Sequence, residues 1–279
     1  MILWGSAWPC AKALSGHLSA ESLAFWRLAL STIALIPLML YENRLHITTK
    51  TVSYTLIGAL TMAFYLESYF MGLERGSAHL AGVLFTSVNP LIVFILSFYL
   101  FGNVISKRTM GGLFLGILGT MITLDVTQAG WEGFVKSGNA FFIISSLFWA
   151  LTTIVSQKSA SHLTPVAFSV LTSALATILF IPLAGINPIM AAFDQSSLFW
   201  AELLFLSLVT SAFASTIYFY AVRHIGSAQA SSFIFIVPIS AILLSVLFLD
   251  EHLTSSTLLG GLLSLIAVYM INSRKIQKT

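Results

Sequence analysis

Charge is what this 279-residue sequence lacks most. Asp, Glu, Lys and Arg together make up 8% of it, against about 25% in an ordinary soluble domain. Apolar residues make up 57%, and the mean hydropathy is +0.93. So few charges cannot cover a chain of this length in water, whereas a bilayer tolerates an apolar surface. The single cysteine, Cys10, excludes an intramolecular disulfide and any cysteine-based metal cluster. In its apolar stretch it reads as a small buried residue. No long polar segment exists, so nucleic acid has no surface to bind. Catalytic signatures are missing too: there is no H-E-x-x-H, G-x-S-x-G or P-loop. The six histidines (His17, His46, His79, His162, His224 and His252) fall mostly in predicted loops or helix ends. No enzyme, metal or cofactor is expected, and ATP-driven pumping has no nucleotide-binding segment to run on.

What remains is a series of apolar runs separated by short polar turns. These predict an all-α integral membrane protein of ten transmembrane helices, at residues 1–15, 20–41, 52–74, 78–101, 109–126, 138–157, 163–183, 197–222, 227–249 and 254–272. Most runs reach the length that spans a bilayer. The N-terminus has neither a basic n-region nor an A-x-A cleavage site, so it reads as a helix rather than a signal peptide. Met1 to Ser15 would rise only about 22 Å, against a hydrocarbon core of about 30 Å. That predicts either residues preceding Met1 or shielding of this helix by its neighbours. The fifth helix is rich in glycine (Gly111, Gly112, Gly116, Gly119), a composition that lets helix backbones approach closely in lipid. With the N-terminus in the cytoplasm, nine Lys and Arg fall on the inside and four (Lys12, Arg27, Arg75, Lys136) toward the outside. This bias predicts both termini inside and an even number of helices.

The most specific signal is an internal repeat. At a constant offset of 145, Trp4 meets Trp149, His17 meets His162, Ala29-Leu30 meets Ala174-Leu175, and Ile36-Pro37 meets Ile181-Pro182; nine of 34 positions agree. Arg75 and Pro90 then meet Arg223 and Pro238 at offset 148, with Gly111-Gly112 and Gly260-Gly261 close behind. Two five-helix units are predicted, at 1–130 and 131–279. Five is odd, so the second unit enters the membrane the other way up. Inverted repeats of this kind place a site near the midplane and exchange its exposure between the two sides.

Ionisable groups inside spans are functional candidates by default, because burying one at a helix centre costs roughly 2.5–3.5 kcal/mol on insertion scales. Glu67, in the third predicted helix, is the sharpest. Arg27 lies at a similar depth in the second, so a Glu67–Arg27 charge pair and a substrate or proton-coupling role for Glu67 both fit. The repeat pairs Glu67 with Ser215 and Arg27 with Thr172, so these charges have no counterpart in the other half. Lys12 pairs with Gln157 and His79 with Ser227, and both read as end-of-helix polar groups. Pro90 and Pro238 each remove a helical hydrogen bond and predict paired kinks. Asn89, beside Pro90, is a candidate substrate contact or an interhelical hydrogen bond.

Leu3-Trp4-Gly5-Ser6-Ala7-Trp8-Pro9, Phe25-Trp26-Arg27-Leu28, Gly76-Ser77-Ala78, Asn89-Pro90-Leu91, Gly226-Ser227-Ala228 and Leu249-Asp250-Glu251-His252-Leu253-Thr254 together resemble the drug/metabolite transporter superfamily, of the ten-helix EamA type. The likeness spans nearly the whole chain. Phe101-Gly102-Asn103 departs from it, standing where the family carries an acidic turn. The resemblance implies a secondary transporter of the inner membrane that exports a small polar or amphipathic metabolite, an amino-acid-like solute or a drug. It implies a cavity in which Trp8, Tyr65, Tyr69, Trp149 and Tyr218 form an aromatic wall. The expected partners are the solute and the lipid bilayer, with the chain acting as a monomer. The other readings are a non-transporting membrane sensor or assembly protein and, further off, a membrane-embedded enzyme. The interior discriminates: a central cavity supports transport, and a solid bundle argues against it.

Overall fold

With almost no water-facing charge, the backbone must satisfy its own hydrogen bonds, and the helix is the local solution. A computed structural model of the chain describes residues 1–76, 78–102, 106–123, 138–238, 240 and 255–273; at 78–81, 83, 123, 256 and 257 it describes the backbone alone. The described residues form α1 (Ile2–Gly5), α2 (Ala7–Leu14), α3 (Ala20–Glu42), α4 (Thr49–Arg75), α5 (Ala78–Phe101), α6 (Lys107–Thr123), α7 (Asn139–Ser159), α8 (Pro165–Ala184), α9 (Ile186–Met190), α10 (Ser197–Leu204), α11 (Ser215–Ile225), α12 (Ser227–Ser232) and α13 (Ser255–Asn272). A π-helical stretch, Phe205–Ala214, joins α10 to α11. A 3-10 turn, Phe233–Ile236, follows α12 and leads to Pro238. Among the described residues, six stretches are long and apolar enough to cross a membrane: Ala20–Glu42, Thr49–Arg75, Leu84–Phe101, Asn139–Ser159, Pro165–Ala184 and Ser197–Ile225.

Helix starts carry the residues that satisfy orphan N–H groups. Thr48 and Thr51 form a reciprocal capping box at α4, and the hydroxyls of Thr164 and Ser196 cap α8 and α10. Gly226, at φ 84°, turns the chain out of α11 in a conformation that a side chain would strain. The first predicted helix is broken: α1 ends at Gly5 and α2 begins at Ala7. Pro9 has no N–H to offer the carbonyl of Gly5, one turn back, so the ladder is interrupted there. The helix predicted at 197–222 is likewise not uniform, since its middle is π-helical. The ends predicted for the fifth and ninth helices lie outside the described residues.

The core is apolar, as in a soluble protein, but so is much of the outer surface, and small hydroxyls are buried beside the core. Ile33, Leu262 and Tyr269 are 66%, 56% and 68% exposed, while Thr152, Thr153, Ser207 and Thr210 are fully buried. Lipid accepts the former, and helix carbonyls and neighbouring hydroxyls accept the latter. The single Thr152 hydroxyl proton is shared between the Phe148 carbonyl of its own helix, at 2.9 Å, and Thr61 Oγ1 of α4, at 2.8 Å. The Thr216 hydroxyl donates to Ser169 at 3.0 Å. Such bonds tie helices together at about 0.6 kcal/mol each on average. α3 packs on α8, α4 on α7 and α8, α5 on α7, and α6 on α13. Glycine permits the closest of these approaches: a Cβ on Gly72 would lie 2.4 Å from the Phe142 ring, and one on Gly119 would lie 2.7 Å from the Gly260 carbonyl.

Candidate functional site

The interior is not solid. A central cavity lies among α1, α2, α3, α4, α5, α7, α8, the π segment and α11, with about 730 Å³ of empty space that includes open solvent at its mouth. Its wall is aromatic. Tyr65 and Trp149 pack with ring centroids 4.9 Å apart, as do Trp8 and Tyr69, and Trp4 meets Trp149 edge-on at 5.4 Å. Such geometry is favourable for quadrupolar rings. The indole Nε1 of Trp149 is buried and has no acceptor, whereas that of Trp4 donates to the Thr210 carbonyl at 3.2 Å.

Besides its tyrosines and tryptophans, the cavity's polar side chains come from five elements, Thr86 of α5 among them. α3 supplies Arg27, α8 supplies Ser169 and Ser173, and the π segment with α11 supplies Ser211 and Ser215. Arg27 is 5% exposed. Its Nε donates to Ser211 Oγ at 2.7 Å and its Nη2 to Thr210 Oγ1 at 3.5 Å. Its guanidinium lies 5.3 Å from the Tyr69 ring centroid and 6.0 Å from that of Phe70, within cation–π range. Its Nη1 has no acceptor. The π segment contributes beyond its side chains. The carbonyl of Ser207 accepts from Ser31 at 2.8 Å, and that of Thr210 accepts from both Trp4 and Ser215. π-helical turns recur at functional sites because they displace groups from the regular ladder.

Of the residues expected from sequence, Trp8, Tyr65, Tyr69, Trp149, Ser215 and Arg27 line this cavity. Tyr218 stands one layer behind, stacked on Trp149 at 5.8 Å with its hydroxyl 3.3 Å from Thr153 Oγ1. Asn89 is fully buried away from the cavity; its Nδ2 donates to the Ser146 carbonyl at 2.9 Å, the interhelical bond that was the second reading of this residue. The Glu67–Arg27 pair is not made. Glu67 is half-buried and off the cavity, and the charge that acts on it is another carboxylate, Glu21. Arg27 turns instead to hydroxyls, because its side of α3 packs on the π segment. Pro90 lies inside α5, beside the Asn89 tether. Cys10 is half-buried rather than buried, its Sγ 3.4 Å from the Glu202 carbonyl.

The EamA-like transporter family model matches residues 1–125 and again 136–273. The chain belongs to the EamA-like transporter family. An uncharacterized transporter of Archaeoglobus fulgidus is 24% identical over 99% of this chain and 96% of its own length. A chloroplastic WAT1-related protein of Arabidopsis thaliana is 25% identical over 97% of this chain and 67% of its own. A solved crystal structure shares the fold at a TM-score of 0.77 and 18% identity, covering 97% of this chain and 93% of the other. Family membership supports a transporter role in a multi-pass membrane protein, as the apolar helices do.

In this EamA-like chain, Trp4, Ser169, Ser173 and Ser211 also line the cavity, beyond the residues expected from the sequence. A signal was present: Ser169/Ser173 and Ser211/Ser215 each sit four apart, so each pair shares one helix face. Serine is common enough in spanning helices that this spacing alone would not single them out.

Proposed function

We propose that this protein is a secondary transporter that exports a small polar or amphipathic metabolite across the inner membrane, by alternating access between two inverted five-helix repeats, 1–130 and 131–279. The observation that carries the reading is the central cavity, walled by aromatics from both halves and holding a buried arginine. Ten spans are part of it. The six long apolar helices are six of them; α1 with α2, α6, the segment opening with α12, and α13 supply the rest. Both termini are then cytoplasmic.

Reciprocal contacts support the inverted repeat. The single family model matches two successive segments. His17, of the first half, lies over Phe199 at the start of α10, with centroids 5.7 Å apart; His162, its partner at offset 145, stacks on Tyr54 near the start of α4 at 5.9 Å. Lys12 donates to the carbonyls of Leu73 and Gly76, and its partner Gln157 accepts from the backbone N–H of Ser227 at 2.7 Å. Each polar side chain thus clasps the Gly-Ser-Ala turn of its own half. α3 on α8 and α6 on α13 are contacts that a two-fold axis maps onto themselves.

The test is labelling from two sides. In a Cys10→Ser background, Ser215→Cys is exposed to a membrane-impermeant thiol reagent in right-side-out and inside-out vesicles. Labelling from both sides, with a balance that shifts under an imposed solute gradient, is expected. Labelling from one side only under every condition would overturn alternating access.

A further inference from the structure

Resting on the reading that this cavity holds the transported solute, we propose that the cavity is an anion site. Arg27 binds the carboxylate of a solute that has an apolar body and a net negative charge, in preference to a zwitterion or a cation.

Arg27 is the one charged residue among the described residues that line the cavity. A guanidinium carries five donors and stays protonated in any protein environment. Here Nε and Nη2 meet neutral hydroxyls, Nη1 meets no acceptor within hydrogen-bond geometry, and the rings of Tyr69 and Phe70 with the neutral phenol groups of Tyr65 and Tyr69 supply the other compensation, none of it a counter-charge. A buried cation left in this condition is costly, and a carboxylate is the ligand that relieves it, through short charge-assisted bonds. The second unpartnered group on the lining, Trp149 Nε1, is also a donor. Both vacancies therefore ask for acceptors. A zwitterion would bring an ammonium as well. Glu67, the carboxylate that would have received it, lies off the cavity, and the nearest ring face, that of Tyr69, already faces Arg27. The rest of the wall is mainly indole, phenol, phenyl and aliphatic surface, with the small hydroxyls of Thr86, Ser169, Ser173 and Ser215 among it, and it suits an apolar or aromatic body.

The experiment compares four probes that share one phenyl-alkyl body: 3-phenylpropionate, 3-phenylpropionamide, 2-phenylethylamine and phenylalanine. Binding to the purified full-length protein in detergent is read from intrinsic tryptophan fluorescence, since Trp4, Trp8 and Trp149 line the cavity. The acid should bind about tenfold or more tighter than its amide, the scale of a hydrogen bond to a charged group. It should also bind tighter than phenylalanine, with the amine weakest. In Arg27→Gln the preference for acid over amide should vanish, and Arg27→Lys should keep part of it. Should these variants not fold, the wild-type series decides. Equal binding of acid and amide, tighter binding of phenylalanine than of the acid, or no binding of the acid would each overturn the anion site. The two-sided labelling of Ser215→Cys is independent of these results, so failure of the anion site and failure of the transport reading are told apart.

Discussion

At position 12 a lysine ammonium reaches the carbonyls of Leu73 and Gly76, at the end of α4. Helix C-termini leave carbonyls without partners and carry partial negative charge, so a cation there is both donor and counter-charge. In a membrane no water stands in when it is lost. Lys12→Met is expected to destabilise the protein by about 1–3 kcal/mol, the cost of stranding buried acceptors, measured by thermal unfolding in detergent. Solute preference should not change, since Lys12 does not line the cavity; an unchanged melting temperature would refute the clasp. The contrast with Arg27 is instructive. Both are cations in the outer half of their helices by sequence, yet one is satisfied by backbone and the other is left with a free nitrogen facing the centre of the molecule.

Elements acquire their shape from neighbours that propensity does not see. Nothing in Phe205–Ala214 announces a π-helix. The stretch is held open by bonds from other segments: Ser31 and Trp4 draw on its carbonyls, and Arg27 draws on its hydroxyls. Glycines act in the opposite sense, through what they omit. α4 and α7 lie so close at Gly72 that a side chain would enter the Phe142 ring. Gly72→Leu is therefore expected to cost about 1–3 kcal/mol or more, as overpacking does in well-filled interiors. Gly16→Ala, where nothing lies within 4 Å of the added carbon, is the matched control and should fall within about 0.5 kcal/mol of the parent. Comparison of their unfolding temperatures checks both; an indifferent Gly72→Leu would mean that the two helices are free to separate.

For the whole molecule, the proposed topology has both termini in the cytoplasm, following the excess of Lys and Arg on that side. A C-terminal green fluorescent protein fusion should fluoresce, and a C-terminal alkaline phosphatase fusion should be inactive. The reverse pattern would invert the assignment of inside and outside, and with it the proposed direction of export. The reciprocal contacts of His17 with Phe199 and of His162 with Tyr54 bear on the same scale. In the proposed repeat, each loop histidine would reach into the opposite half, and the halves would interlock rather than stack side by side.

The membrane setting, the positions of most helices and four of the cavity's aromatics were legible in the sequence, because they follow from hydropathy and periodicity, which add along a chain, and from family motifs. The break at Ser6 was legible only in part, since Pro9 signals it but the short first run hid it. The pairing of charges was not legible. Depth alone placed Glu67 and Arg27 together, yet which face of each helix meets which neighbour depends on rotation about the helix axis, and packing decides that. The tertiary structure turned Arg27 toward the π segment and the cavity, left Glu67 outside it, and brought Ser169, Ser173 and Ser211 to the same space. A residue's neighbours across a bundle come from other helices far away in sequence, and no local pattern encodes them.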